Sequence, residues 1–345
     1  MPKHDIARLL GLEGDVRVDF VESAALAGNP LGDPSMRPVA VYLPPGYDAA
    51  GSRRYPALYV LHGYTGAATA MISTRPWETN VFQWADRLVR ERRMTPSLVV
   101  VVDGFTRLGG SQYVDSIHNG AYATYTVRDV VGHVDRTYRT VASEGGRAVL
   151  GKSSGGFGAM HLVLEHPGIF AAFASHSGDS YFRYAHIPAF ATVQRILEAH
   201  AFDLPAYVAA FEAKQKRPMA EYTTMEMLAY AAAYSPHSAT AFDLDLPFDR
   251  RTGELNEEVF ARWLAFDPAE RVGTKAAELA RLRLRYVECG RRDEFNLDVG
   301  ARVVAKRIEE LGLTVRHEEF DDDHRNVGYR YEVSLPALAA VLDQQ

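Results

Sequence analysis

The chain has 345 residues, 47% of them hydrophobic, which is enough for one large core with an insertion. Its net charge of −6, without a basic stripe, argues against nucleic acid and acidic membrane surfaces as partners. The single cysteine, Cys289, excludes an internal disulfide framework and fits a reducing compartment.

The N-terminal residues 1–8 lack the apolar core of a signal peptide. No window of the sequence approaches the ~20 apolar residues that a membrane helix needs. The sequence therefore predicts a cytoplasmic protein without a membrane partner. It leaves a homodimer open.

Eight short segments have the composition of β-strands, and helical patterns separate most of them. The first two suit an antiparallel hairpin, whereas the middle ones are continuous apolar runs typical of strands buried on both faces of a parallel sheet. This alternation predicts a doubly wound α/β sheet. The predicted strands are Val16–Val21, Val39–Leu43, Ala57–Leu61, Leu98–Val102, Ala148–Leu150, Ala171–Ser175, Leu284–Glu288 and Thr314–Phe320. The predicted helices are Val81–Arg93, Tyr122–Tyr138, Gly156–Glu165, Val299–Leu311 and Val333–Leu342.

The stretch 180–279 interrupts this alternation with helical, aromatic-rich sequence. A segment of that length without a clear strand is expected to be an inserted cap rather than a loop. We therefore predict an α/β core over 1–179 and 280–345 and a helical cap over 180–279. Insertions in open α/β folds tend to lie over the carboxyl ends of the strands, where ligands bind. Tyr181 and Trp263 in the cap are candidate substrate contacts, although most of its aromatics are expected to pack internally.

The strand at Ala148–Leu150 runs directly into Gly151-Lys152-Ser153-Ser154-Gly155, which fits the G-x-S-x-G pattern. This pattern is typical of a sharp strand-to-helix turn that exposes a serine hydroxyl. The glycines on either side of Ser153 are needed because a side chain there would collide with a neighbouring strand or helix. Ser153 is therefore the candidate nucleophile.

A competing motif overlaps the same residues, because Gly146–Ser153 matches the phosphate-binding pattern G-x-x-x-x-G-K-[ST]. A phosphate loop needs flexible backbone between its two glycines, whereas this stretch is apolar strand sequence. We interpret the P-loop match, and the NTPase function it would imply, as a false positive.

A serine nucleophile needs a base and an acid that orients the base. His324 lies in a polar loop after the last predicted strand, where an imidazole can reach over the sheet edge to the nucleophile. Asp293 follows the preceding strand and its glycine turn, and is the favoured acid over Glu294 and Asp298. The order nucleophile, acid, base is that of the α/β-hydrolase arrangement.

Two backbone N–H groups should stabilise the oxyanion that forms during acyl transfer. One is that of Ser154, directly after the nucleophile. The other comes from the loop after the third strand, His62-Gly63-Tyr64, where Tyr64 is the chosen donor. His62 is expected to brace this loop and is a candidate substrate contact. No cluster has metal-ligand spacing, and no cofactor is expected.

With these residues in place, the chain resembles the putative esterase family of α/β-hydrolases, and most of all its longer, enterochelin-esterase-like bacterial members. The family includes esterase D, enterochelin esterase, feruloyl esterases and the antigen 85 mycolyltransferases. The resemblance implies an α/β-hydrolase fold with a mostly parallel eight-stranded sheet, helices on both faces and an inserted helical cap. The segments that carry it are Arg37–Tyr47, His62-Gly63, Gly110–Ser116, the Ser153 turn, Cys289–Asp293, the His324 loop and, in the cap, Leu246–Asp249 and Trp263–Pro268.

The resemblance implies the same site: nucleophile Ser153, acid Asp293, base His324, and oxyanion amides at Tyr64 and Ser154. Two departures concern the substrate. Lys152 stands where members often carry histidine or another residue, and the usual His-x-Trp after the base region is His324-Arg325-Asn326 here.

The sequence thus predicts a serine carboxylic-ester hydrolase that forms an acyl-enzyme on a small-molecule ester. The aromatic, methionine-bearing cap favours a small or an apolar or aromatic substrate group. An acyltransferase on the same fold remains the alternative.

Overall fold

The structure is a computed structural model that describes residues 5–343. Residues 1–4, part of the segment in which no signal sequence is expected, and residues 344–345 lie outside the described residues.

The centre of the fold is a mostly parallel sheet of eight strands, which confirms the architecture predicted from the sequence. Its strand order is β1-β2-β4-β3-β7-β8-β9-β10; β2 is antiparallel to both β1 and β4, and the other neighbours are parallel. All eight predicted strands are present. Two further strands, β5 and β6, form a separate hairpin that is too short to show a periodic pattern. The strands are β1 (Asp15–Glu22), β2 (Met36–Leu43), β3 (Ala57–Leu61), β4 (Leu98–Val102), β5 (Asp115–Ser116), β6 (Gly120–Ala121), β7 (Arg147–Lys152), β8 (Ala172–His176), β9 (Leu284–Gly290) and β10 (Arg316–Phe320).

The helices include all five that the sequence predicts, with shifted ends. The predicted helix at 122–138 is composite, because a π-helical segment, Tyr125–Val130, separates α3 from α4. The helices are α1 (Asp5–Leu10), α2 (Val81–Arg90), α3 (Tyr122–Thr124), α4 (Val131–Thr137), α5 (Ser154–Glu165), α6 (Phe182–Ala185), α7 (Ile187–Glu198), α8 (Leu204–Ala213), α9 (Met219–Tyr234), α10 (Glu257–Leu264), α11 (Pro268–Arg271), α12 (Ala276–Ala280), α13 (Leu297–Glu310) and α14 (Tyr331–Ala340).

The sheet is covered on both faces, as the continuous apolar strands predict. In β3, Tyr59 and Leu61 point to one face and join a core with α4, α5 and α13. Leu58 and Val60 point to the other face and join a core with α1, α2 and α14. Because side chains alternate along a strand, a strand buried on both faces must be apolar at every position. The carboxyl ends of the parallel strands remain available for a site.

Helices α6 to α12 lie between β8 and β9, in the segment for which the sequence predicts a cap. Helices α6 to α10 surround a third apolar core that includes Trp263 and Phe260, whereas Ala269 of α11 and Leu279 of α12 belong to the first core. Phe157 of α5 and Leu108 belong to the third core, although both lie outside 180–279. The predicted boundaries of the cap, at residues 180 and 279, therefore stay a prediction.

Near the carboxyl end of β9, the buried carboxylate of Glu288 accepts several hydrogen bonds. His176 Nδ1 donates at 2.6 Å, the Tyr286 hydroxyl at 2.5 Å and Arg330 Nε at 3.0 Å. Burial by itself would raise the pKa of Glu288. The charge of His176 and the hydrogen bonds from His176 and Arg330 outweigh this effect and lower the pKa of Glu288 to about 2. A carboxyl whose pKa is lower in the folded than in the unfolded chain stabilises the fold above its unfolded pKa.

We expect Glu288→Gln to lower the free energy of unfolding at pH 7 by about 3 kcal/mol, since one pKa unit corresponds to about 1.4 kcal/mol. In the native protein this contribution is complete above about pH 4.5 and is lost as the pH falls towards about 2. Urea unfolding from pH 7 down to about pH 3 measures it, with the exposed Glu309→Gln as the control. Equal unfolding free energies for Glu288→Gln and the native protein at pH 7 would contradict the prediction.

Candidate active site

Ser153 lies in the one-residue turn between β7 and α5, as the sequence predicts. Its backbone has φ 57° and ψ −126°, a strained conformation for a residue with a side chain. Such strain persists only where the surrounding structure enforces it, and it lifts the hydroxyl clear of the strand.

The glycines around Ser153 are required by close backbone contacts. A Cβ atom on Gly151 would lie 2.4 Å from the Gly155 carbonyl carbon, and one on Gly155 would lie 2.1 Å from the Leu61 carbonyl oxygen. These atoms are backbone and cannot move aside. Helix α5 can therefore approach β3 and β7 only because these positions have no side chain.

The structure brings Ser153, His324 and Asp293 together from the carboxyl ends of β7, β10 and β9. His324 Nε2 lies 3.1 Å from Ser153 Oγ, and His324 Nδ1 lies 2.8 Å from Asp293 Oδ2. One imidazole therefore contacts both an alcohol and a carboxylate, which is the geometry that activates a serine nucleophile.

The Asp293 carboxyl group is buried and held by neighbouring donors. Its side chain has 0% exposure, and Oδ1 accepts the backbone N–H of Phe295 at 2.9 Å. Burial alone would raise the pKa of Asp293, but the hydrogen bond and charge of His324 hold this pKa below its ordinary value. The carboxylate therefore stays ionised and receives the Nδ1–H of His324.

The two rival carboxyls have other partners. Glu294 accepts the backbone N–H of His324 at 3.0 Å and pairs with Arg325 at 3.1 Å. Asp298 pairs with Arg302 at 3.0 Å. Of the three, Asp293 is the one that contacts the imidazole.

The two candidate oxyanion donors belong to backbone segments next to Ser153. A Cβ atom on Gly63 would lie 3.3 Å from Ser153 Cβ, so the Gly63–Tyr64 segment passes directly beside the nucleophile. Ser154 is the first residue of α5, where backbone N–H groups have no partner within the helix and carry a partial positive charge. Within residues 5–343, neither the Ser154 nor the Tyr64 N–H has a backbone acceptor. Both are free to bind an oxyanion.

His62 holds the oxyanion loop rather than lining the cavity. Its Nε2 accepts the Gly104 N–H at 2.9 Å, so its Nδ1 carries the proton and donates to the Gly63 carbonyl at 2.9 Å. Burial lowers the pKa of His62, which keeps the ring neutral. The expected bracing role fits this geometry, whereas the expected substrate contact does not.

The two candidate cap contacts, Trp263 and Tyr181, pack against other side chains of the cap. Trp263 has 0% exposure, and its indole N–H donates to Ser235 Oγ at 2.8 Å within the third core. Tyr181 stacks on Tyr184 with ring centroids 5.0 Å apart. Neither residue is among those that line the cavity next to Ser153, so their substrate contacts stay predictions that the cavity wall does not support.

A cavity of ≈ 420 Å³ opens above Ser153 and His324, between the strand ends and helices α7 and α9. Apolar and aromatic side chains form much of its wall, among them Tyr64, Tyr222, Met227 and Phe295. Lys152 also lines it, and burial lowers the pKa of this lysine. The cavity is large enough for a small ester next to the nucleophile.

Two further cavity residues are absent from the sequence prediction. Asp179 follows β8, and its place after a parallel strand is a signal that could have found it. Glu226 lies between Met225 and Met227 on α9, and a lone carboxyl in a buried helical stretch is a second such signal.

The segment that matches the P-loop pattern does not form a phosphate-binding loop. Residues Arg147–Lys152 form β7, whose backbone is hydrogen-bonded to β3 and β8. In residues 5–343, no group of three or more His, Cys, Asp or Glu side chains is arranged to hold a metal ion. None of the helices in this range combines the length and apolar character needed to cross a membrane.

A family model and several relatives resemble this chain. The model of the family described as "Putative esterase" matches residues 34–334. An esterase of Mycobacterium tuberculosis is 32% identical over 146 residues, which is 42% of this chain and 30% of that protein. An endo-1,4-beta-xylanase/feruloyl esterase of Xylanibacter ruminicola is 26% identical over 149 residues, which is 42% of this chain and 20% of that protein. The match thus spans less than a third of the length of these curated relatives.

Solved structures share the fold over nearly the whole chain. A ferulic acid esterase has a TM-score of 0.58 at 18% identity, covering 95% of this chain and 98% of that one. An S-formylglutathione hydrolase from Agrobacterium tumefaciens has a TM-score of 0.57 at 18% identity, covering 96% and 97%. The fluorophosphonate-binding serine hydrolase F of Staphylococcus aureus has a TM-score of 0.57 at 14% identity, covering 96% and 99%.

Proposed function

The chain belongs to the "Putative esterase" family and has the α/β-hydrolase fold, and on this premise we propose that it hydrolyses carboxylic esters through Ser153, His324 and Asp293. The observation that carries the proposal is the continuous hydrogen-bonded chain from Ser153 through His324 to Asp293 at the base of a cavity. The relatives named as esterases support it. Loss of p-nitrophenyl acetate hydrolysis on replacing Ser153 tests it.

The first half of the proposed reaction forms an acyl-enzyme. His324 Nε2 takes the Ser153 proton as Oγ attacks the ester carbonyl, and the imidazolium then protonates the departing alcohol. The negatively charged oxygen of the tetrahedral intermediate accepts hydrogen bonds from the backbone N–H groups of Tyr64 and Ser154. Such a donor is worth ~100- to 1000-fold in rate.

The second half releases the acid. Water enters where the alcohol left, His324 takes its proton, and the hydroxide attacks the acyl carbonyl. The tetrahedral intermediate then expels Ser153 Oγ, which recovers its proton from His324. Throughout, Asp293 keeps the Nδ1 proton in place and stabilises the imidazolium.

We propose an ester with an apolar acyl or alcohol group, because apolar side chains line the cavity next to the nucleophile. Burial of one methylene contributes about 0.8 kcal/mol, or roughly fourfold in kcat/KM. For p-nitrophenyl esters, kcat/KM should therefore rise several-fold per methylene from acetate to hexanoate. Steady-state hydrolysis rates with this series measure the slope.

Two variants test whether the cavity causes this rise of kcat/KM with chain length. Met227→Ala removes a buried cavity side chain, and Met36→Ala removes a half-exposed one on β2. The chain-length preference should shrink in the first variant and stay in the second. A flat series in the native protein would end the proposal of an apolar substrate but not that of ester hydrolysis.

Hydrolysis is proposed in preference to acyl transfer because the relatives and structural neighbours found are named as esterases and hydrolases. Added alcohols distinguish the two reactions, since a transferase forms a new ester faster than it forms the free acid.

A further inference from the structure

Two carboxyl side chains that the reaction above does not use line the same cavity as Ser153. Asp179 and Glu226 are joined by the hydroxyl of Tyr230, which lies 3.0 Å from Asp179 Oδ2 and 3.1 Å from Glu226 Oε1. All three residues line the cavity. We refer to Asp179, Glu226 and Tyr230 as the acidic subsite.

The proton count in the acidic subsite assigns its charges. A tyrosine hydroxyl has one hydrogen and can donate to one carboxyl only, so the other contact needs a protonated carboxyl. Burial raises the pKa of Asp179, but the hydrogen bonds from Gln112 Nε2, at 3.0 Å, and from Tyr230 oppose this rise, which favours Asp179 over Glu226 as the carboxylate. Burial and the charge of Asp179 raise the pKa of Glu226 to about 8. At neutral pH, Glu226 therefore donates to Tyr230, and Tyr230 donates to Asp179.

No cationic side chain hydrogen-bonds to either carboxyl in the described part of the chain. The donors to Asp179 are the neutral Gln112 and Tyr230, and the one partner of Glu226 is Tyr230. Lys152 lines the same cavity and its charge interacts with that of Asp179, but it forms no hydrogen bond to either carboxyl. A buried carboxylate without a hydrogen-bonded positive partner is costly, and such costs are typical of functional sites.

His186 lines the same cavity and contacts the ring of Tyr230. It is 3% exposed, its ring centroid lies 4.6 Å from that of Tyr230, and its Nε2 has no hydrogen-bond partner among residues 5–343. Burial lowers the pKa of His186 to about 3, so the ring is neutral. A buried imidazole nitrogen without a partner in the wall of the same cavity is a polar group that a ligand can satisfy.

We propose that the acidic subsite binds an ammonium group carried by the substrate, which rests on the proposed ester hydrolysis at Ser153. An ammonium group would place a positive charge in direct contact with the subsite and donate hydrogen bonds to Asp179 and Glu226. Tyr64 and Tyr222 also line the cavity, and aromatic rings suit a cation. A carboxylate ligand has no hydrogen to donate to Asp179, and a neutral group would leave Asp179 without a hydrogen-bonded positive partner.

Three six-carbon ligands test the acidic subsite without requiring turnover: hexylammonium, neutral hexanamide and anionic hexanoate. Calorimetric titration at pH 7 should show hexylammonium binding at least about tenfold more tightly than hexanamide, and hexanoate binding most weakly, because charge-assisted hydrogen bonds are the stronger ones. Equal affinities for hexylammonium and hexanamide in the native protein would overturn the proposal.

Two variants assign this preference to the subsite. Glu226→Gln keeps the shape of the neutral acid but cannot ionise beside a cation, and Asp179→Asn removes the standing charge. The preference for hexylammonium should fall below about threefold in each. Glu258→Gln, at an exposed site on α10, is the matched control and should retain it. Retention of the full preference in Glu226→Gln would also overturn the proposal, even if Asp179→Asn failed to fold.

The hydrolysis of p-nitrophenyl acetate, measured separately, distinguishes the two proposals. A native protein that prefers hexylammonium but shows no turnover would contradict the proposed function alone. A native protein that turns over the acetate but binds hexylammonium and hexanamide equally would contradict the acidic subsite alone.

Discussion

Replacing Ser153 by alanine should reduce kcat/KM for p-nitrophenyl acetate by about 10⁴- to 10⁶-fold, which is the loss typical of removing a serine nucleophile. Without Oγ, His324 has no alcohol to deprotonate and no acyl-enzyme can form. The fold should survive, because alanine and serine have the same Cβ and face the same backbone strain at φ 57°. Initial rates of p-nitrophenolate release measure the loss, and thermal unfolding checks the fold.

A fluorophosphonate probe gives an independent readout of the same residue. It should label the native protein at Ser153 alone and should not label Ser153→Ala. Ser334→Ala, which removes a buried hydroxyl on α14 that has no hydrogen-bond partner within the described range 5–343, is the control and should keep both labelling and turnover. Label found in the Ser153→Ala protein, or turnover close to the native rate, would exclude Ser153 as the nucleophile.

Replacing Asp293 by asparagine should lower kcat for p-nitrophenyl acetate by about 10³- to 10⁴-fold at neutral pH. The carboxylate accepts the Nδ1–H of His324 at 2.8 Å and so leaves Nε2 unprotonated towards Ser153. An asparagine amide can donate to Nδ1 instead, which moves the ring proton to Nε2, where it blocks proton transfer from the serine.

The control for this variant is Asp298→Asn, the same chemical change on a nearby carboxyl that pairs with Arg302. It should retain activity within a few-fold. If Asp298→Asn lost as much activity as Asp293→Asn, the orienting acid would be misassigned. Steady-state kinetics of both variants on one substrate decide between the two carboxyls.

Local sequence patterns were sufficient for the sheet and for the turn at the nucleophile. The continuous apolar run of β4 can be satisfied only by burial on two faces, and the structure buries every one of its residues. Gly151 and Gly155 are likewise local requirements, because the Cβ positions they lack are occupied by backbone. Period, composition and backbone conformation are properties of short segments, and a single sequence reports them directly.

The substrate contacts were predicted less well, because exposure is not a local property. Trp263 has the large aromatic side chain expected of a binding residue, yet this side chain packs α10 against α9. The sequence predicts only a backbone role for Tyr64, yet this residue also lines the cavity. An aromatic side chain carries the same signal in a core as in a cavity wall, so the sequence could not separate the two uses.

The sequence by itself determined the strand order along the chain, the strained turn at Ser153, and the placement of a carboxylate and a histidine after the last two strands. The sequence favours Asp293 over Glu294 and Asp298, but only the tertiary structure gives its contact with His324 and brings Asp179 and Glu226 to one tyrosine hydroxyl. Hydrogen bonding and hydrophobic periodicity act within a segment, whereas these choices depend on how distant segments pack. Ångström-scale packing decides which carboxyl meets a partner, and the residue types alone do not encode those distances.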